Sequence, residues 1–480
     1  MSTRLSLVFS FLDRYATLFV SIVSSMLIAR LLTPEELGVF SVTMVLLVFV
    51  NTVRDLGAGQ YLVQERDLTT TRIRAVWAVQ LGLGLALAIL VFLASRPVAA
   101  FYDEPRMRDI MLVVALSYAI NPFGSLTYAW LMREMRFNHV ALMRFSSSTC
   151  GAMVSVWLAW HDLGAISLAY GALTSTFVNA LVAVYFRPRS FPWLPGVEEI
   201  RRVLAFGSRL TGSTIVTVIA NGAPELLVGK LQGLTAAGLY SRSSGLVQMF
   251  HRLFVDAVAA VCLPWFAKKS REQGCYAEPF LKATAYVTAF GWSFCLGIIC
   301  LASPVIRVLY GDQWGESVDL ARILAAAMAF TVPAALCQTA LLSSGAVSSI
   351  ARVTVASAVQ SVALVVIGAS QGLMGVGIAM TAAAAVTAVI WLRTTVRHVN
   401  VPLPALWRVF GRSGCVACCA AVGPAMAVWV YGPVPVGVLQ PLLLGGLTGL
   451  AGFVAGVWLS RHPLREEFVV MWQKLRPSRN

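Results

Sequence analysis

Asp13, Arg14, Arg144, Arg209, Glu225, Arg242, Arg252 and Asp256 are charged side chains set inside stretches that are otherwise apolar. Such a charge is costly in hydrocarbon, so it faces a bundle interior or a watery cavity, pairs with a neighbour, or reaches the interface on a long stem. Arginines there supply forked, charge-assisted donors for an anion, and carboxylates can carry a proton or hold a cation. Glu225 follows Pro224 and Asn221-Gly222, residues that weaken a helix and leave backbone groups seeking partners, which makes it the foremost carboxylate for proton or ion coupling. It also stands within a turn or two of a span end, where water can simply solvate it. Arg252 and Asp256 are four residues apart, the spacing that puts two helical side chains on one face, so they form either a structural pair or part of a transport path. Asp13 and Arg14 interrupt the first apolar stretch; Arg144 and Arg209 can line a cavity or snorkel to headgroups.

The elements that carry these residues follow from composition. Of 480 residues, 58% are apolar and 12% charged, against roughly 25% charged in soluble domains, so the chain reads as an all-α integral membrane protein. About fourteen apolar windows fit spans of about 20 residues each. They are 9–31, 36–56, 74–95, 109–131, 140–160, 164–186, 205–229, 237–265, 281–302, 320–342, 350–369, 374–396, 409–431 and 436–459. No interval between them is long enough for a soluble domain. The 37 basic residues exceed the 22 acidic ones, giving net +15, and most fall in alternate loops and the tail from Arg461 to Arg479. By the positive-inside rule both termini are cytoplasmic, and the surplus reports orientation rather than nucleic-acid binding. The first window, interrupted by Asp13-Arg14, reads as a retained helix rather than a cleaved signal. Cys415, Cys418 and Cys419 share a window with Gly414, Ala417, Ala420 and Ala421, a pattern that suits close helix packing better than a metal or disulfide site.

An internal repeat organises the windows. Ala29-Arg30-Leu31 with Gly38-Val39-Phe40-Ser41 returns as Gly229-Lys230-Leu231 with Gly238-Leu239-Tyr240-Ser241, 200 residues on. Leu93-Ala94-Ser95 with Tyr102 returns as Leu301-Ala302-Ser303 with Tyr310, and Pro122 as Pro333, at offsets of 208 and 211. Three markers in order argue for duplication. An even number of spans separates the copies, so the lobes form a parallel repeat of two six-helix bundles, residues 1–190 and 203–400. Residues 401–480 add two C-terminal helices and a basic tail. Two parallel bundles suit alternating access.

Arg30-Leu31-Leu32-Thr33-Pro34-Glu35-Glu36-Leu37-Gly38-Val39-Phe40 and Asp55-Leu56-Gly57 resemble the opening of the polysaccharide-transporter (Wzx-like) family of the multidrug/oligosaccharidyl-lipid/polysaccharide exporter superfamily. Phe101-Tyr102 with Glu104-Pro105, residues 133–137, Gly238 to Arg242, Pro264-Trp265-Phe266 and Leu309-Tyr310-Gly311 with Trp314 are similar to later segments of that family. The resemblance implies a flippase of the bacterial inner membrane. Its cargo would be an undecaprenyl-diphosphate-linked oligosaccharide, moved from the cytoplasmic to the periplasmic leaflet for exopolysaccharide, O-antigen (lipopolysaccharide) or capsule assembly. Arg14, Arg209, Arg242 and Arg252 are then candidates for the diphosphate; Asp13, Glu225 and Asp256 for ion or proton coupling; and Ser147, Asn179 and Gln248 for a polar lining around the sugar. Membrane Ser and Thr also commonly bond back to their own helix.

No Walker-type loop is present, so no nucleotide or other cofactor is expected, and the energy comes from H+ or Na+ coupling or from membrane potential. Expected partners are the lipid-linked substrate, membrane lipids and a polysaccharide polymerase or assembly complex. Embedded arginines outnumber embedded carboxylates, which weighs against a multidrug or ion antiporter for cationic compounds. Asp103-Glu104 is the one outer-loop acid pair, in a loop too short for a membrane glycosyltransferase or polymerase. The embedded charges likewise weigh against a non-transporting scaffold.

Overall fold

Helix starts in this chain are set by short-range chemistry that the sequence already displays. In a computed structural model, Thr33 N–H donates to Glu36 Oε2 (2.8 Å) and Glu36 N–H donates to Thr33 Oγ1 (3.3 Å), a reciprocal box around Pro34. Thr69 Oγ1 accepts from Arg72 N–H (3.3 Å), and the Glu104 carboxylate accepts from Arg106 N–H (3.1 Å) just before Pro105. The segments that carry the family resemblance at residues 33–36 and 104–105 are therefore helix caps. The structure describes residues 3–475 except 56, 66, 190, 274–275 and 436; side chains are described from 15 to 470, apart from those positions and 53, 55, 206–214 and 273.

The chain packs as two compact units, residues 1–238 and 239–480. The first holds α1 (Thr3–Leu31), α2 (Pro34–Asp55), short α3 (Ala58–Gln64), α4 (Thr70–Tyr102), α5 (Pro105–Arg133), α6 (Phe137–Trp160), α7 (Ile166–Phe186) and α8 (Ile200–Leu231). Next, α9 (Leu234–Phe250) begins in the first unit and continues into the second, passing through a π-helical turn, His251–Val255, into α10 (Asp256–Gln273). The second unit continues with α11 (Ala277–Leu309), then α12 (Ser317–Thr331), which a 3-10 turn at Val332–Ala334 separates from α13 (Cys337–Ser343). After these come α14 (Val347–Ala369), α15 (Gly372–Val399), α16 (Leu403–Tyr431), α17 (Leu439–Leu459) and α18 (Leu464–Leu475).

No strand occurs among the described residues, and eleven of their helical rods are long and apolar enough to cross a membrane. All fourteen windows read from the sequence fall on helices, with α1, α6 and α8 supplying those beyond the eleven. Large apolar side chains such as Phe92, Leu181, Trp429 and Leu447 point outward, as lipid rather than water would require. The chain is an all-helical, multi-pass membrane protein.

Small residues let these helices meet closely. Cβ atoms on Gly452 and Gly456 of α17 would strike Cys419 O and, at 2.8 Å, Val416 Cα, so the cysteine-bearing face of α16 is a packing face. Within the first unit, a Cβ on Gly38 would collide with Leu234 O, and one on Gly238 with Pro34 O. Each glycine therefore packs on the carbonyl four residues before the other.

Candidate functional site

Proline has no N–H and its ring crowds the carbonyl four residues back, so Pro333 leaves Ala329 O without its helical donor. The Trp292 indole N–H on α11 donates to that oxygen at 2.8 Å, while Thr331 Oγ1 donates to Met328 O (3.0 Å). Gly291 makes room beside it: a Cβ there would lie 2.6 Å from Val332 Cγ1. The helical rod from 317 to 343 thus breaks at 332–334 with its freed carbonyl satisfied.

Facing this break is the π turn. Asp256 N–H donates to His251 O, an i→i+5 bond, and the same register sets the His251 and Asp256 side chains together, Nε2 to Oδ1 at 3.8 Å. The sequence spacing suggested Arg252 as the partner of Asp256; one extra residue in the turn hands that place to His251. Phe250 stacks on Phe254 and Phe294 (ring centroids 5.3 Å each), and Phe254 meets Phe290 at 4.8 Å, so an aromatic bank holds the turn. Between turn and break lies a cavity of about 210 Å³ whose polar lining is His251, Thr331, Gln338 and Thr387, with Trp391 and Met328 among the apolar residues. Behind Thr387, whose hydroxyl donates to Gln360 Oε1 (3.3 Å), the Gln360 Nε2 is buried with no protein partner.

The other residues singled out in the sequence are dispersed. Arg242 on α9 is half-buried, its guanidinium 5.6 Å from the Tyr310 ring centroid and 5.9 Å from that of Trp314. Arg252 and Gln248 are exposed on the same rod. Glu225 is half-buried on α8 with its Oε1 enclosed; the helix runs unbroken through Pro224, and Gly222 abuts Val45 of α2. The buried Ser147 donates to Arg144 O of its own helix (3.1 Å), and Asn179 Oδ1 lies 2.6 Å from where a Gly124 Cβ would stand, inside the α5–α7 contact. Asp13, Arg14 and Arg209 lie outside the described side chains. Lys230 donates to Phe101 O and covers the Phe101 ring (4.4 Å), which anchors the end of α8. Among the described residues no three His, Cys, Asp or Glu side chains converge as a metal set.

Sequence reasoning missed Trp292, His251 and Arg187. Pro333 signalled an orphaned carbonyl at Ala329, but nothing in the sequence names the indole that answers it. Arg187 follows α7 and is buried, its guanidinium 4.0 Å from the Trp193 ring and 5.2 Å from that of Trp77, with Nη2 donating to Pro192 O (2.7 Å). Burial pushes its pKa down. It pins the segment that leads to α8.

A proline-broken rod, a π turn and close glycine contacts among long apolar helices mark a polytopic helical membrane protein. Residues 27–319 match the model of the polysaccharide biosynthesis protein family, and the chain belongs to that family. It is similar to the succinoglycan biosynthesis transport protein ExoT of Rhizobium meliloti (strain 1021), 26% identical over 330 residues, 68% of this chain and 66% of that protein. The lipopolysaccharide biosynthesis protein WzxC of Escherichia coli (strain K12) is 20% identical over 63% of this chain and 62% of its own. The teichuronic acid biosynthesis protein TuaB of Bacillus subtilis (strain 168) is 22% identical over 64% of each. The matched stretch spans a little under two thirds of each of these relatives. Among solved structures, the lipid II flippase MurJ in an inward closed conformation shares the fold, with a TM-score of 0.77 at 14% identity over 96% of this chain and 99% of that one. An inward-facing multidrug resistance MATE transporter of the MOP superfamily gives 0.65 at 15% identity, over 82% of this chain and 96% of that one.

Proposed function

We propose that this protein is a flippase, not an enzyme, and that it carries an undecaprenyl-diphosphate-linked oligosaccharide from the cytoplasmic to the periplasmic leaflet of a bacterial inner membrane. The observation that carries the reading is membership of a polysaccharide biosynthesis family by a chain with eleven described rods long and apolar enough to cross a membrane. Such a chain can act on a polysaccharide precursor only from within the bilayer. The transport names of ExoT and the fold shared with MurJ support the same reading.

A diphosphate must shed water to enter a protein, and arginines repay that with paired, charge-assisted hydrogen bonds. Arg242 and Arg252, both on the π-distorted rod, are the described members of the proposed set, with Arg14 and Arg209 completing it. Their charges would hold the phosphates while the prenyl tail stays in lipid. The repeat lobes at 1–190 and 203–400 would supply alternating access, with 401–480 as an appended pair of helices. The cationic bias of alternate loops favours a cytoplasmic position for both termini. Exit of each negative charge toward a positive outside is favoured by roughly 2.3 kcal/mol per 100 mV. A polysaccharide polymerase would take the product on the far side.

Arg242→Ala with Arg252→Ala should abolish polysaccharide export while membrane insertion and protein level stay normal. Unaltered export in the double variant would remove these arginines from the substrate path.

A further inference from the structure

From the π turn we infer a proton-binding site in the second unit: the His251–Asp256 pair, served by the adjoining cavity, takes up and releases the proton that couples to transport. The coupling role rests on the flippase reading; the proton site itself does not.

Three observations converge. His251 stands near the middle of the rod Leu234–Glu272, at a depth where an ionisable side chain calls for a reason. A π turn costs regular hydrogen bonding, and here it brings together two titratable groups that an α-helix would hold apart. His251 also borders a cavity of about 210 Å³, room for roughly seven waters at about 30 Å³ each. The cavity wall offers the Thr331 and Thr387 hydroxyls and the Gln338 amide to such waters, and the buried Gln360 Nε2 behind Thr387 is a donor that a water would satisfy.

Among the described residues, the groups packed around the pair can be named element by element. The residues that α12, the 3-10 turn, α13 and α15 contribute to the cavity include no ionisable side chain. From α11 the turn meets Phe290 and Phe294, with the Cys295 thiol buried in the same core. Cys262 of α10, Tyr276 just before α11 and Cys337 of α13 are the other titratable groups of that core, all buried. Arg252 is the other charged group of the turn itself. When a proton arrives from water at His251 Nε2, imidazolium and carboxylate form a neutral pair; when it leaves, neutral imidazole and Asp256 carboxylate remain, with one negative charge. A single site thus changes its net charge by one unit as the proton comes and goes.

The test uses the full chain in lipid nanodiscs and proteoliposomes. Ring-labelled histidine NMR, with His251→Gln to assign the signal, should show a proton binding at the His251 ring, and Asp256→Asn should change that signal. In proteoliposomes loaded with lipid-linked oligosaccharide from cells depleted of the protein, an imposed pH gradient should speed wild-type flipping. His251→Gln should flip at a rate indifferent to the gradient, with unchanged thermal stability. A His251 signal that Asp256→Asn does not move, or a His251→Gln variant that keeps the wild-type response to the gradient, would overturn the proposal. If wild type flips nothing while the NMR shift is seen, the proton site stands and the flippase reading fails.

Discussion

Each unit carries a proline within a long helix, at repeat-related positions, facing a glycine on the preceding long helix, yet the two crossings end differently. At Pro122 the helix α5 continues unbroken, with the Gly84 backbone pressed on the ring and on Tyr118 O, the carbonyl that the proline orphans; a Cβ there would stand 2.7 Å from Pro122 Cγ and 2.8 Å from that oxygen. On its other side Gly124 is clamped against Asn179 of α7. At Pro333 the rod breaks, the orphaned Ala329 O is taken by the Trp292 N–H, and a cavity opens beside it. The difference teaches that proline supplies only the freed carbonyl. Whether a helix holds or opens depends on what the neighbouring helix offers to that oxygen: a close backbone leaves the helix clamped, and a side-chain donor lets it part.

The largest effect should come from filling the closed crossing. Gly84→Leu would drive a side chain into a proline ring and a backbone oxygen that cannot step aside, so we expect a loss of at least about 3 kcal/mol, read as failure to accumulate folded protein in detergent. At the open crossing the obstacle is the movable Val332, so Gly291→Ala should cost only about 1–2 kcal/mol and be restored by adding Val332→Ala. Equal costs at the two glycines would break the comparison.

Removing the donor sharpens it. Trp292→Phe keeps the ring and deletes the N–H, leaving Ala329 O unsatisfied at a cost of about 1–3 kcal/mol in thermal unfolding. Pro333→Ala supplies a backbone N–H to the same oxygen, so the double variant should recover most of the loss and close the break. If Pro333→Ala deepens the defect instead, the indole is not acting through Ala329 O.

The smallest effect lies away from both crossings, after α17. His462 is buried, with Nδ1 accepting from Leu464 N–H (3.2 Å) and Nε2 beside Ser413 Oγ (3.2 Å), and burial pushes its pKa down to about 4. Because the unfolded imidazole has the higher pKa, near 6.5, the folded arrangement is fully stable above about pH 6.5 and loses stability as pH falls toward 4. Docking of α18 should loosen over that window, measured as thermal unfolding of the full chain at each pH, and His462→Gln should flatten the response. Both crossings should ignore it.

The windows were legible because they depend on simple periodicity, whereas the caps at Thr33, Thr69 and Glu104 went unread although each rests on residues close in sequence. The repeat was read from scattered matches, among them Gly38 and Gly238, which meet closely in the structure. The side chains of the site were less legible. Arg252 was matched with Asp256 on α-helical spacing, and a π turn, which no residue type announces, moved the pairing to His251. Ser147 and Asn179 are polar residues that the sequence could place only as lining; one bonds to its own backbone and the other fills a helix contact. Trp292 was invisible because the oxygen it serves is 37 residues away.

The central claim is best tested by following lipid-linked oligosaccharide in each leaflet of cells depleted of this protein, with the membrane potential held high or collapsed. The account predicts accumulation on the cytoplasmic face, relieved by re-expression and relieved faster at high potential. Normal crossing of the lipid intermediate in depleted cells would contradict it.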